Sequence, residues 1–247
     1  MIVKAPDFSA RNLTIENAFD YVGNLLQPKL EAIGSNGPQA VALMLADGSD
    51  RALLEEVELV GHQDTLFVDA GRCLFRRCRV QGSVDFVFGA GQAVFDRSEL
   101  HSRFRPGKPR QGYVAVPSTS ASQAHGLTFH HCRLTREPEV PDRSVALGRP
   151  WRPTRDFPDG RYGDPDVAGL AVYLECWMDA HIAPEGWDEM NYAARDGTRV
   201  PLRPSEARLF EYRSSGPGAH ADSRRRTLSP ADARRHAPPA VLGDWVP

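Results

Sequence analysis

Residues 53–59, 74–80 and 94–100 read LLEEVEL, LFRRCRV and VFDRSEL, three copies of one short pattern: apolar ends, a charged centre and a small or apolar fifth position. The fifth positions, Val57, Cys78 and Ser98, fall 21 and 20 residues apart. Three further units, LTIENAF at 13–19, TFHHCRL at 128–134 and VYLECWM at 172–178, align with them and put Asn17, Cys132 and Cys176 in the equivalent place. A repeat of about 20 residues built from short alternating strands and turns, with no helical periodicity between, predicts a parallel β-helix. Successive coils of such a solenoid lie about 4.8 Å apart, the ordinary strand spacing. The cysteines then form a ladder of buried thiols. They lack the CxxC spacing of a metal or redox site and the density of a disulfide scaffold. The longer gaps hold Pro- and Gly-rich stretches such as GRPWRPTRDFPDGRYGDPD (148–166), which read as loops inserted between coils.

Overlaying ELVGHQDTLFV (58–68) on RVQGSVDFVFG (79–89) sets Gly61 on Gly82 and Asp64 on Asp85. Two aspartates in apolar strands, one coil apart, are expected to be neighbours on one face. Like charges in a partly desolvated groove cannot both ionise cheaply, so one carboxyl keeps its proton while the other stays charged. Three readings of the pair stay open on spacing alone: an acid with a nucleophile or base, a metal ion such as calcium held between carboxylates, and a polar ladder with no chemistry. His130 and His131 beside Cys132 suggest a metal site at first sight, but alternation sends neighbours to opposite faces.

The rest of the chain bounds the answer. At 247 residues, 41% hydrophobic and with a net charge of −2, it suits one elongated or two compact domains, of which the repeat favours a single domain over 1–247, with no general pull toward nucleic acid or an anionic membrane. No apolar run reaches the roughly 18 residues of a spanning helix. From about Arg203 the repeat fades into an Arg-, Ala- and Pro-rich tail packed on the helix, in which SPADARRHA (229–237) suggests a short helix and Arg224–Arg226 a solvated surface. The opening residues, MIVKAPDFSARNLTIENAFD, have neither the basic start nor the apolar centre of a secretory signal and read as the middle of a strand-rich fold.

Four blocks identify a family. GPQAVAL (37–43), GHQDTLF (61–67), GSVDFVFG (82–89) and LGRPW (147–151) resemble, in order, the signature blocks of pectin methylesterases, most closely the bacterial branch, and the similarity extends over essentially the whole chain. The resemblance implies a right-handed parallel β-helix that hydrolyses galacturonate methyl esters in pectin, releasing methanol, with no cofactor and no metal. Asp85 would be the nucleophile, and Asp64 the general acid for methanol and then the base for water. Gln39 and Gln63 would donate to the oxyanion, and Arg149 would pair with Asp85. Trp151, Thr154, Val84 and Phe88 would line the sugar groove. The partner would be methylated homogalacturonan, the state a monomer, and the location the periplasm or medium.

Departures accompany the likeness. His62 stands where the family commonly has Tyr, and ring packing is the expected role. The family's usual N-terminal helix, further strands and G-x-Y-x-E block have no counterpart, which predicts an N-terminally truncated solenoid with an open edge. The alternatives are a non-catalytic pectin-binding β-helix and an esterase or thioesterase of other specificity on the same scaffold. Intact QDTL, DFVFG and LGRPW favour the pectin esterase.

Overall fold

The computed structural model describes residues 1–27 and 39–247. Its strands form three parallel sheets, each built from one strand per coil. The first contains Leu43–Leu45, Leu66–Val68, Val87–Gly89, Gly112–Pro117 and Val145–Gly148, the second Ala52–Glu55, Arg72–Arg76, Gln92–Asp96, Leu127–His130 and Leu170–Leu174, and the third Glu58–Val60, Arg79–Gly82, Glu99–Ser102 and Arg133–Arg136. The chain visits the second, third and first sheet in turn and then repeats, as the spacing predicts. Among the described residues, the opening coil, Ile2–Val3, Ser9–Arg11 and Thr14–Glu16, pairs along one edge, and Ile2 and Leu13 are exposed.

The corner between the second and third sheets explains the repeating pattern. Its fourth residue adopts a left-handed conformation in every coil: Asn12, Glu56, Arg77, Arg97, His131, Glu175 and Arg213 all have φ between 48° and 54°. One such residue turns the chain sharply at a cost of about 1–2 kcal/mol for a non-glycine. The next residue then faces inward. There the thiols of Cys78, Cys132 and Cys176 donate to the carbonyls of Leu54, Phe95 and Phe129 at 3.2–3.3 Å, and the Ser98 hydroxyl donates to that of Phe75 at 3.1 Å. All four cysteines are buried free thiols: Cys78, Cys132 and Cys176 satisfy strand carbonyls from this corner, whereas Cys73 lies inside the second-sheet strand Arg72–Arg76.

One register expectation is corrected. Ala10 pairs with Leu54 and Ile15 with Leu59, so the first unit is SARNLTI (9–15) and Leu13, not Asn17, takes the fifth position. The apolar ends of LTIENAF mislead because the true unit begins on Ser9. Asn17 instead reaches across with its Nδ2 to the Val41 carbonyl at 3.0 Å.

Inside the solenoid, the second sheet stacks aromatic rings coil upon coil. Phe75, Phe95, Phe129 and Tyr173 follow one another at centroid separations of 4.6, 4.9 and 4.5 Å with nearly parallel planes. All four are fully buried, and the Tyr173 hydroxyl is satisfied by the Leu147 carbonyl at 2.7 Å.

The coil pattern continues past Arg203: Arg208–Tyr212 adds a seventh strand to the second sheet. Two short helices, Pro230–Arg235 capped by Ser229 and Pro238–Leu242, then cover that sheet's outer face, where Val241 and Leu242 pack on Leu74 and Val94. The arginine run is not a uniform solvated surface. Arg224 is exposed, whereas Arg225 is buried and holds Glu211 with two hydrogen bonds of 2.6 and 2.7 Å. Glu211 follows Tyr173 in the inward stack, so the pair ends the apolar column, and a buried carboxylate there requires a fork-shaped cation.

Truncating Phe95, which has a ring on each side, removes two stacking contacts and leaves a cavity. Phe95→Ala should lower stability by roughly 3–5 kcal/mol, read as a shift of the denaturant midpoint, while Phe95→Leu should cost less than half of that.

Candidate active site

The outer face of the first sheet is the floor of a groove of about 740 Å³. Residues 66 and 68 point inward, so Phe67 between them points out, and the strand register aligns it with Phe88 and then Val116. Phe67 and Phe88 stack at 4.3 Å, and Trp151 meets both edgewise at 5.9–6.4 Å.

Asp64 and Asp85 lie at one end of this floor. They do not sit in strands: each occupies the corner before a first-sheet strand, with φ of 62° and 54°, a region that Asp tolerates better than most residues. Leu66 pairs with Val87, so the two aspartates are equivalent residues of adjacent coils, and the Asp64 N–H donates to the Val84 carbonyl at 3.0 Å. The aligned spacing of 21 residues thus reflects real stacking.

Their environments differ. The Asp85 carboxylate accepts two hydrogen bonds from Arg149, Nε to Oδ1 at 2.9 Å and Nη2 to Oδ2 at 2.7 Å. Asp64 receives none among the described residues. Burial pushes Asp85 up from its ordinary value, and the Arg149 hydrogen bonds and charge oppose that rise. Asp64, buried and facing the Asp85 charge, is pushed up to about 7, with Arg149 only partly offsetting the rise. Of the two, Asp85 keeps its charge, because it alone holds the guanidinium. At neutral pH the pair contains one carboxylate fixed by an arginine and one carboxyl close to half-protonated.

Arg149 is aimed from two sides. Its backbone N–H donates to the Ala115 carbonyl at 3.0 Å, an approach that requires Gly148 before it, since a Cβ there would overlap that same carbonyl. Its guanidinium lies 3.9 Å above the Tyr113 ring, and Tyr113 is the residue that stacks one coil beyond Asp85.

Gln39 and Gln63 both line the groove, and neither side-chain amide is engaged in a hydrogen bond among the described residues. The Ala40 N–H donates to the Gln63 carbonyl at 3.1 Å, which fixes these residues on neighbouring coils beside Asp64. Gly37 and Pro38 of the same sequence block lie outside the described residues. Trp151, Thr154 and Phe88 line the groove. Val84 is not part of that lining: it is buried, and its carbonyl serves the Asp64 N–H. His62 stacks on Tyr21 at 4.9 Å, and burial pushes its pKa down to about 4, so it is a neutral packing ring.

Sequence reasoning missed Phe67, whose signal is the same 21-residue step that links Asp64 to Asp85. It also missed Tyr113, Arg152, Met190, Tyr192 and Arg199. Four of these build the far side of the groove, where two hairpins, Thr154–Phe157 with Gly160–Gly163 and Met190–Ala193 with Arg199–Leu202, interrupt the repeat. Among the described residues no group of three or more His, Cys, Asp or Glu is placed to hold a metal ion, and His130 instead bonds Asp96 at 2.8 Å. Among the described residues no helix is long and apolar enough to cross a membrane.

A parallel β-helix with paired corner carboxylates, one clamped by arginine, defines a class of hydrolytic groove. The pectinesterase family model matches residues 3–231. Pectinesterase A of Dickeya chrysanthemi is 43% identical over 249 residues, covering 99% of this chain and 68% of the relative. A pectin methylesterase solved in complex with a hexasaccharide superposes with a TM-score of 0.95 at 43% identity, over 100% of this chain and 72% of the other. The enzyme from Yersinia enterocolitica gives 0.93 at 41% identity, over 100% and 77%. The chain belongs to the pectinesterase family.

A carboxyl raised to about 7 in the folded state binds its proton more tightly than the unfolded chain does, near 3.8. Its contribution is therefore favourable below the unfolded value and is lost as pH rises through 7. Asp64→Asn should stabilise the protein, and the gain at pH 8.5 should exceed that at pH 5 by roughly 2–3 kcal/mol in denaturant titrations.

Proposed function

We propose that this groove hydrolyses the methyl esters of galacturonate units in pectin, with Asp85 as nucleophile and Asp64 as proton carrier. The observation that carries the assignment is the asymmetry of the pair: Arg149 holds Asp85 charged and oriented, while Asp64 is poised near neutrality.

The Asp85 carboxylate attacks the ester carbonyl, forming a C–O bond as the carbonyl electrons move onto oxygen. The amides of Gln39 and Gln63, neutral and otherwise unengaged, stabilise that oxyanion. As the intermediate collapses, the bond to methoxide breaks and Asp64 delivers its proton, so methanol leaves and an acid anhydride joins the sugar to Asp85. Asp64, now a carboxylate, takes a proton from water. The hydroxide adds to the galacturonyl carbonyl, and the second collapse restores the Asp85 carboxylate and frees a galacturonic acid, which gives its remaining water proton to solvent and leaves as the carboxylate. One proton has left Asp64 and one has returned, so the cycle closes without a cofactor.

The aromatic cluster of Phe67, Phe88 and Trp151 suits the apolar face of a sugar ring, and the solved relative with a bound hexasaccharide supports a polymer in the groove. The polymer would be methylated homogalacturonan, bound by a monomer acting outside the cytoplasm, where family members meet pectin.

Purified protein supplied with highly methylated pectin should release methanol, and Asp85→Ala should abolish release while leaving the fold intact. Arg149→Lys keeps the charge but loses the planar fork, so turnover should fall about 10–100-fold. Near-normal turnover of that variant would remove the role assigned to Arg149. Because the free enzyme needs a protonated Asp64, kcat/KM should decline as pH rises above about 7.

A further inference from the structure

Tyr113 takes the place after Asp85 in the column of equivalent residues: Val87 pairs with Ala115, so Asp64, Asp85 and Tyr113 follow one another on successive coils. It is not among the residues that line the groove. Its ring carries the Arg149 guanidinium at 3.9 Å, and its hydroxyl has no hydrogen bond among the described residues. A third carboxylate at this place would divide the guanidinium between two anions, and an amide reaching it would take up one of its donors. An aromatic face attracts the cation and takes no N–H from it.

Arg149 has two carboxylates within electrostatic reach, Asp85 and Asp188. Asp188 is placed close by, because its N–H donates to the carbonyl of Gly148, the residue before Arg149, at 3.0 Å. Asp188 is otherwise held only loosely: Arg110 Nε lies 3.5 Å from it, while the shorter contact of Arg110, at 2.5 Å, goes to Glu185. The fork of Arg149 nevertheless closes on Asp85 with both Nε and Nη2. Contact with the Tyr113 ring covers one face of the guanidinium and leaves its edge to Asp85.

We propose that Tyr113 is a positioning residue for the reaction: its ring face, not its hydroxyl, keeps the Arg149 fork on Asp85 and away from Asp188, and so keeps the nucleophile charged and aimed. The effect on turnover rests on the ester-hydrolysis reading. Asp85 faces Asp64 on one coil, Arg149 on another and Arg105 from the loop before Gly112, and Tyr113 faces Arg149, Asp188, Arg110 and Asp85. Of these groups only Arg149 lies over the ring. With the ring gone, less of the Arg149 charge opposes the burial of Asp85, which then takes up a proton at higher pH.

The test compares wild type with Tyr113→Phe, Tyr113→Leu and forms of Tyr113→Phe whose ring carries one, two or three fluorines, which drain the ring face of electron density while changing its shape little. In methanol-release assays on highly methylated pectin, Tyr113→Phe should match wild type within about twofold, and kcat of Tyr113→Leu should fall roughly 5–30-fold with little change in KM. Along the fluorine series kcat should fall stepwise, a trend that lost packing does not produce. The acid limb of the kcat/KM profile should move to higher pH in Tyr113→Leu and stay in place in Tyr113→Phe. A carbon NMR titration of the Asp85 carboxyl, assigned with Asp85→Asn, should move the same way without substrate. Equal loss in Tyr113→Phe and Tyr113→Leu, a flat fluorine series, or an unmoved Asp85 titration in Tyr113→Leu overturns the assignment. Should Tyr113→Leu fail to fold, the fluorine series decides. If wild type releases no methanol yet the Asp85 titration rises in Tyr113→Leu, the hydrolysis reading fails and the positioning role stands.

Discussion

Parallel in-register pairing forces each residue to share its surroundings with the residue at the same place one coil away. For apolar side chains this is favourable: leucines and aromatic rings stack into a column, and thiols or hydroxyls donate to the same strand carbonyl in coil after coil. For a charged side chain it is unfavourable, since the nearest equivalent position sits about 4.8 Å away. Asp64 and Asp85 occupy such equivalent positions. The geometry that makes the scaffold regular is thus the same geometry that presses two carboxyls together, and with burial as the larger cause this proximity raises Asp64 to about 7.

The pair is tolerable because its two members are treated differently. Arg149 arrives from a later coil, fixed by a backbone hydrogen bond to Ala115 and by the face of Tyr113, and neutralises one carboxylate only. The other keeps a proton at little cost near neutral pH. A second arginine would hold both carboxylates charged and remove the proton carrier. With no arginine, both groups would rise and the nucleophile would be lost.

The repeating frame was legible in the sequence because its corner rule is local. One residue near φ +50° followed by a small inward residue leaves a mark in every coil, and the mark at 57, 78 and 98 fixed the stacking of 64 on 85. The reading failed where the mark is weak or absent. SARNLTI lacks an apolar first residue, so its neighbour LTIENAF was the more visible match. Arg225 looked like surface because the partner that buries it, Glu211, is defined only by the extra strand. Val84 looked like groove because it flanks Asp85 in sequence, yet it is buried and not part of the groove lining. Tyr113, Tyr192 and Arg199 carry no periodic signal, because their roles depend on where an arginine reaches or where a hairpin folds.

Both hairpins leave the solenoid at the same corner, between the first and second sheets, after Val145–Gly148 and again before Arg208–Tyr212. They add no rung to the stack, and the strands on either side pair as if the hairpins were absent. Lengthening, shortening or recharging them therefore leaves the aspartate pair where the coils put it. The reaction is inherited with the frame, whereas the pattern of polymer accepted beside it can drift with a few surface residues, so closely related chains can share one chemistry and differ in the pectin they leave behind.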